Sequence, residues 1–376
     1  MNFEEPRFSP SLCVTHECNL NCIYCYQKHK SGLVMPLDVA KRSIDWIFTH
    51  VPEPLTNIEI SFIGGEPLLA FNRVKEIVEY TWNKWTSDNY IFFASTNGTV
   101  LNKEMKEWFI KNRNRFYLGV SIDGTKTTHD YNRSNSFDKI DIGFFKDNWP
   151  KQGVKMTLSE YSLSHLAEDV KYIHSLGFDV HGVNLAEGDF DWDNEKYISI
   201  LIPQLNDLVE YYVDNNSVIP CQILDKHLDA CEVKKKWRNK WCGIGNGTNF
   251  FDIDGRMFPC SFTTPMTFSE NDIENMLKTD FTDDENFMDN DCYNNCYIYP
   301  ICSNCSGANY MVNGFFNIRN KKKCKINKLI ALYIADLQAK KIAMNLTTLE
   351  GDELYYTIEA IKKIRTLYLN DFIQYF

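Results

Sequence analysis

The chain has 376 residues, a formal net charge of −10 and 44% hydrophobic residues, so it can bury a sizeable core in one large or two ordinary domains. Its acidic balance argues against nucleic-acid binding, which needs basic stripes. No apolar run approaches the ~20 residues that span a bilayer, and Met1 to Pro10 lacks the charged-then-apolar order of a secretion signal. Thirteen cysteines in such a chain point to metal or redox sites rather than disulfides, and a cytoplasmic, low-oxygen setting is expected.

The first predicted element is a strand over Ser11–Thr15. Directly behind it runs Cys18-Asn19-Leu20-Asn21-Cys22-Ile23-Tyr24-Cys25-Tyr26. Thiolates are soft ligands for iron–sulfur clusters and zinc. Three on one loop can hold three irons of a four-iron cluster and leave the fourth iron for a substrate or cofactor. A zinc knuckle is the alternative, with Cys13 or His16 as the fourth ligand.

Further strands are expected at Ile58–Ile63, Tyr90–Ser95, Phe116–Ser121, Val154–Leu158 and Val180–Leu185. Helical patterns lie near Leu37–Thr49, Val74–Trp85, Lys103–Lys111, Phe137–Trp149, His165–Ser175 and Ile198–Val213. Six strand–helix units in alternation imply an α/β fold, a parallel sheet with helices outside it. Six is two short of a closed (β/α)₈ barrel. Gly64-Gly65-Glu66-Pro67 follows the second strand, where two glycines permit close backbone approach and Glu66 can accept from an ammonium. Ser95-Thr96-Asn97-Gly98 and Ser121-Ile122-Asp123-Gly124 end the third and fourth strands and place polar groups on one rim.

After about Val218 the pattern changes. Cys242 and Cys260 fit Cys-x₁₂-Gly-x₄-Cys, followed by Cys292-x₃-Cys296-x₅-Cys302-x₂-Cys305 and then Cys324. Seven cysteines at these spacings suit clusters, with zinc as the alternative. Cys13, Cys221 and Cys231 are either packing residues or further ligands. The tail reads as two amphipathic helices, Ile330–Met344 and Leu354–Leu369. The lysine runs Lys234–Lys236 and Lys321–Lys323 read as solvated loops.

The CxxxCxxC loop, GGEP after the second strand and the later cysteine block together resemble the radical S-adenosylmethionine (radical SAM) superfamily with a SPASM-type extension. That resemblance implies a partial (β/α)₆ barrel over 1–217, a cysteine-rich auxiliary domain over 218–325 and a helical tail over 326–376. It implies Cys18, Cys22 and Cys25 as ligands of a [4Fe-4S] cluster whose open iron is completed by S-adenosylmethionine. Tyr24 would pack near the adenine. Gly64, Gly65, Glu66 and Pro67 would hold the methionine amino group, and Asn97 and Ser121 would line the adenosyl surface. Lys155 is the nearest match to a basic residue that meets the cofactor carboxylate, since the fifth strand has no Arg. Asp123 is either a turn cap or a contact to cofactor or substrate. Carried over, Cys292, Cys296, Cys302 and Cys324 would ligate an outer auxiliary cluster, and Cys242, Cys260 and Cys305 an inner one, with Cys231 or Cys221 completing it or the iron left open. The middle cysteine block departs from the family order, carrying x₃ first and x₂ last.

Relatives of this kind act mostly on ribosomally made peptides. The resemblance therefore implies a peptide maturase that installs a thioether or carbon–carbon cross-link in a precursor peptide, using three [4Fe-4S] clusters and an external one-electron reductant. A sulfatase-maturating (formylglycine-generating) enzyme is the second reading, and a non-catalytic iron–sulfur carrier a third. Only seventeen residues precede Cys18, so leader recognition is expected from the helical tail, a barrel edge or a separate leader-binding protein.

Overall fold

A computed structural model of the chain describes residues 8–51, 57–180, 182–233 and 237–375; Met1–Arg7 and the run Lys234–Lys236 lie outside the described residues. The chain divides into two compact units. One contains the residues up to Ile122, His129–Lys155 and Gly243–Asp283; the other contains Asp123–Thr128, Met156–Cys242 and 284–376.

The first unit is built on parallel strands β1 (Ser11–Thr15), β2 (Ile58–Gly64), β3 (Tyr90–Thr96) and β4 (Phe116–Val120). Helices α1 (Leu37–Thr49), α2 (Phe71–Lys84) and α3 (Lys103–Asn112) connect them. The burial of β3 alternates strictly, as expected of a strand with one face in the core. Phe62, Phe92, Phe109 and Phe116 stack behind the sheet and are fully buried. Such rings supply most of the apolar area that holds strands and helices together. Asn102 begins α3 by accepting from the Met105 N–H.

The expected helix over Phe137–Trp149 is broken. A 3₁₀ turn covers Phe137–Lys139, and a helix restarts at Ile142–Asn148 because the Asp141 side chain accepts from the Phe144 N–H. A short helix at Lys126–Asn132, designated α4, was not foreseen. The restarted helix is α5. A hairpin in the cysteine-rich region, β7 (Phe250–Phe251) and β8 (Met257–Phe258), was also not foreseen. It extends the sheet beside β1, giving the order β4-β3-β2-β1-β7-β8. Strands β5 (Lys155–Leu158) and β6 (Gly182–Leu185) form a separate pair, and Ser121 bridges Lys155 in parallel. The result is an α/β fold with a mostly parallel sheet, as the alternating pattern implied.

In the second unit, α6 (Leu166–Ser175) and α7 (Glu195–Asp214) pack on each other. Short helices α8 (Glu270–Met276) in the first unit and α9 (Asn290–Asn295) and α10 (Ser306–Asn313) in the second punctuate the cysteine-rich stretch. The tail forms α11 (Cys324–Ala343) and α12 (Gly351–Tyr368). α11 starts a turn and a half before the expected position and is buried nearly all round, against α7 and α12, so it is a core helix rather than an amphipathic one. Among the described residues no helix is long and apolar enough to cross a membrane.

One buried charge in the second unit sets a pH response. Asp169 on α6 is fully buried and accepts from the N–H and hydroxyl of Thr125 at the start of α4. Burial pushes its carboxyl up to about 7, opposed by those hydrogen bonds and the Thr128 hydroxyl. A raised carboxyl favours the protonated folded state, so its contribution is full below the unfolded value near 4 and is lost as pH rises through about 7. Asp169→Asn keeps an acceptor for Thr125 without the charge. It should raise stability at pH 8 by roughly 2 kcal/mol and leave it unchanged at pH 4. Denaturation midpoints of both proteins across that range would show a converging pair of curves.

Candidate metal centre

The loop after β1 is pinned along its whole length. Gly65 N–H donates to the Thr15 carbonyl at 3.0 Å and Glu66 N–H to the Glu17 carbonyl at 2.7 Å. The Asn97 amide donates to Asn19 at 2.9 Å, and Asn19 donates to the Thr99 hydroxyl. Further on, Asn21 N–H donates to Ser134 and Ile23 N–H to the Asn132 carbonyl, both at 3.0 Å. The Lys28 and His29 amides both donate to the Met266 carbonyl. Inside the loop, Cys25 N–H bonds the Cys22 carbonyl, and the Lys30 ammonium bonds the Leu20 carbonyl. Loops carry unpaired backbone groups unless something satisfies them; here four different segments do so. Cys18, Cys22 and Cys25 are thereby held half-buried, none of them in a disulfide. Burial pushes the Cys18 thiol up, while the Leu20 N–H and Lys30 pull it down. Three half-buried, unbridged cysteines on a braced loop fit cluster ligation, which needs thiolates in a fixed geometry.

The glycines of GGEP serve that loop. A Cβ on Gly64 would stand 2.2 Å from the Thr15 carbonyl oxygen, and one on Gly65 only 2.0 Å from that of Glu17. The close approach that sequence reasoning assigned to a ligand is, for these two residues, an approach to the cysteine loop itself. Glu66 is almost fully buried, and its carboxylate accepts from the Thr96 hydroxyl, the Asn97 N–H and the Leu68 N–H at 2.7–3.1 Å. It therefore ties the end of β2 to the end of β3. Pro67 is buried and opens a single 3₁₀ turn ending at Ala70.

Three cationic or aromatic groups gather on the same rim. The Arg133 guanidinium lies over the Tyr24 ring at 5.5 Å. Burial pushes the Glu66 carboxyl up, opposed by its hydrogen bonds and by the Arg133 charge, which also depresses Lys155. Lys155 is reached by water yet ringed by protein, and desolvation, then Arg133, holds its ammonium below the ordinary range. Sequence reasoning assigns Arg133 no site role, although it stands just past α4 and shortly after the Ser121–Gly124 strand end; the fold brings it to the loop. Ser121 is buried and its N–H donates to the Thr96 carbonyl. Asp123 is buried and accepts from the Thr157 N–H at 3.0 Å, which is a strand-end brace.

Cys13, His16 and Asp252 form a buried triad behind the loop, with donor atoms within 4.8 Å of one another. His16 Nε2 and Asp252 Oδ1 are 2.6 Å apart, and Asp252 also accepts from the Ile253 N–H. Burial, followed by Asp252, pushes the Cys13 thiol far up. The pair bolts the β7–β8 hairpin, which leads to Cys260, onto the segment entering the cysteine loop.

The second unit has its own thiol set. Cys292, Cys296, Cys302, Cys305 and Cys324 line one hollow. Cys231 stands beside Cys296, and burial, then Glu232, pushes its thiol up to about 12. Cys221 is packed against Tyr212, whose hydroxyl accepts from the Cys221 N–H. Cys242 is exposed in the second unit, and Cys260 is half-buried beside Thr263 in the first. The lysines at 321–323 form a 3₁₀ turn in which Lys321 and Lys322 are exposed, as expected, and Lys323 is buried. Lys321 donates to Cys292 Sγ at 2.9 Å, Lys322 pairs with Asp189, and Lys323 pairs with Glu187 at 2.7 Å.

Comparison with known proteins agrees with this arrangement. The profile of the radical SAM superfamily matches residues 12–143, the segment carrying the pinned loop and its braces. The uncharacterized protein MJ0907 of Methanocaldococcus jannaschii is 32% identical over 251 residues, 64% of this chain and 79% of that protein. The chain belongs to the radical SAM superfamily. A cysteine-type anaerobic sulfatase-maturating enzyme of Clostridium novyi is 24% identical over 331 residues, 76% of this chain and 83% of the enzyme. The radical SAM cyclopropyl synthase TigE of Paramaledivibacter caminithermalis is 23% identical over 357 residues, 85% and 72% respectively. In fold, the chain is similar to native anSMEcpe with bound AdoMet and Cp18Cys peptide, at TM-score 0.67 and 19% identity, over 90% of this chain and 99% of that one. It is also similar to Streptococcus suis SuiB bound to precursor peptide SuiA, at TM-score 0.55 and 14% identity, over 85% and 76%. Family membership implies S-adenosylmethionine and one [4Fe-4S] cluster.

Gly65→Ala should push the Glu17 carbonyl aside and cost the anaerobically reconstituted protein about four irons per chain. Gly32→Ala, where a Cβ meets nothing within 4 Å, should retain the full iron content. Asp252→Ala should lower stability by roughly 3 kcal/mol, because it strands His16 in the interior; chemical denaturation would read this as a lowered midpoint.

Proposed function

We propose that this radical SAM enzyme is a peptide maturase that closes an intramolecular cross-link, thioether or carbon–carbon, in a ribosomally made precursor peptide. Cys18, Cys22 and Cys25 hold the radical-generating cluster. Tyr24, Gly64–Pro67, Asn97, Ser121 and Lys155 form the S-adenosylmethionine surface, joined by Arg133 as a second cation for the cofactor carboxylate. Cys292, Cys296, Cys302 and Cys324 hold the outer auxiliary cluster, and Cys242, Cys260 and Cys305 the inner one. Residues 1–217, 218–325 and 326–376 are taken as barrel, auxiliary region and tail. An external one-electron reductant, a cytoplasmic setting and a separate leader-binding protein belong to the same reading.

The observation that carries it is the hollow lined by five cysteines, over and above the three on the loop. When bound, the clusters and S-adenosylmethionine supply a hydrogen-abstracting adenosyl fragment and an exit for the electron left behind when a new bond closes. The chain's own residues orient the cofactor: Arg133 and Lys155 offer positive charge to a carboxylate, and the Tyr24 ring offers a flat face to an adenine. Two proteins of similar fold carry bound peptides, anSMEcpe with the Cp18Cys peptide and SuiB with precursor peptide SuiA. Formylglycine formation is the second reading, favoured by the likeness to a sulfatase-maturating enzyme across 83% of its length.

Replacing Cys18, Cys22 and Cys25 together by Ala should abolish reductive cleavage of S-adenosylmethionine and leave about eight of about twelve irons. Persistent cleavage would end the radical reading, and about four irons in the parent protein would remove the auxiliary clusters. With a precursor peptide encoded beside the gene, mass spectrometry should show loss of two hydrogens per link. Exchange of H₂S for one oxygen in a cysteine-containing sulfatase peptide would establish the second reading instead.

A further inference from the structure

We propose that Lys321 is a positioning residue of electrostatic kind, donating an N–H···S hydrogen bond to Cys292 that raises the reduction potential of the outer auxiliary cluster. The inference rests on the auxiliary-cluster reading above and deepens it. Reduction adds negative charge to a thiolate-bound cluster, so a hydrogen bond to a ligating sulfur and a nearby cation both favour the reduced form.

The geometry singles out this lysine. Its ammonium stands 2.9 Å from Cys292 Sγ, within reach of a charge-assisted hydrogen bond. It is also paired with Asp291 at 3.1 Å and Asp289 at 3.5 Å. Asp289 is itself fixed, accepting from the Cys292 N–H and the Arg319 N–H. Ligand and donor are therefore held by the same carboxylate, which sets the N–H···S contact independently of the lysine's long, flexible stem. The other cations nearby are differently engaged. Lys323 pairs with Glu187, the Arg319 guanidinium sits 3.7 Å over the Tyr299 ring, and Lys226 donates to the Ile301 carbonyl and the Ser303 hydroxyl. A raised potential would make this cluster the better acceptor for an electron released from substrate.

The test is an anaerobic potentiometric titration of the reconstituted holoenzyme, followed by electron paramagnetic resonance. The outer cluster is identified by the signal that disappears in Cys296→Ser. Lys321→Met should lower the reduced-to-oxidised ratio of that signal about tenfold at fixed potential, about 59 mV for a one-electron couple. Lys321→Arg, which keeps the donor and the charge, should restore the parent midpoint. Asp291→Asn, which removes the opposing charge, should move the midpoint the other way. An unmoved midpoint in Lys321→Met at full iron content overturns the proposal. Should Lys321→Met lose iron, Asp291→Asn decides: an upward shift supports the proposal and an unmoved midpoint overturns it. Absence of any outer-cluster signal in the parent protein would overturn the auxiliary-cluster reading as well, which separates the two failures.

Discussion

Everything at the radical site depends on how closely the end of β2 lies against the backbone of Thr15–Cys18. With a Cβ at Gly65 standing 2.0 Å from the Glu17 carbonyl oxygen, no side chain larger than hydrogen fits without displacing that carbonyl. The approach allows two backbone hydrogen bonds between Gly65–Glu66 and the loop. Those bonds fix the residues immediately before Cys18. A cluster held by only three thiolates tolerates little play in its ligands, since each sulfur must meet a different iron. On the proposed ligand set, the glycines would set geometry for the metal even though neither offers a ligand atom.

Two buried carboxylates extend the same constraint outward. Glu66 would be costly inside the protein if left unsatisfied. Three donors from two strand ends meet it, so its burial becomes a tie between β2 and β3. Asp252 does the equivalent on the other side of β1, where it meets His16. The hairpin that carries Asp252 continues to Cys260. The segment entering the first thiol loop and a cysteine of the second set thus belong to one hydrogen-bonded frame within a single compact unit.

Most strands and helices were legible because short β-branched or aromatic runs alternate with longer amphipathic stretches. β1 and α1 match their expected bounds residue for residue. What was illegible has identifiable causes. The break between Phe137 and Trp149 turns on one side chain, Asp141, outcompeting helix continuation. The two-residue strands β7 and β8 are too short to show any period, and they exist only because β1 offers a free edge. α11 was read too short because its burial all round hides the apolar stripe that marks a surface helix. At the site, cysteine spacing marked the candidate ligands, but nothing in sequence links Arg133 to Tyr24 or Lys321 to Cys292. Those contacts are tertiary, and neither partner sits in the other's motif.

The cations around the two thiol sets share a logic that net charge obscures. The chain carries 50 acidic against 40 basic residues, so its long-range field is negative. Much of its exposed positive charge is spent in pairs such as Arg42 with Asp38 or Lys362 with Glu359, which contribute little. The cations near sulfur are different. Arg133 lies over Tyr24 beside the first loop, Lys226 is desolvated among Cys302 and Cys231, and Lys321 reaches Cys292 directly. Thiolate clusters and a bound carboxylate are anionic, and in a protein that is anionic overall they would repel electrons as well as one another's charge. Local cations fixed by carboxylates, carbonyls and rings offset that field where it matters while leaving the surface acidic. The lysines at 321–323 show the same placement: two are exposed and one is buried, yet each has its own pairing, one of them to a sulfur.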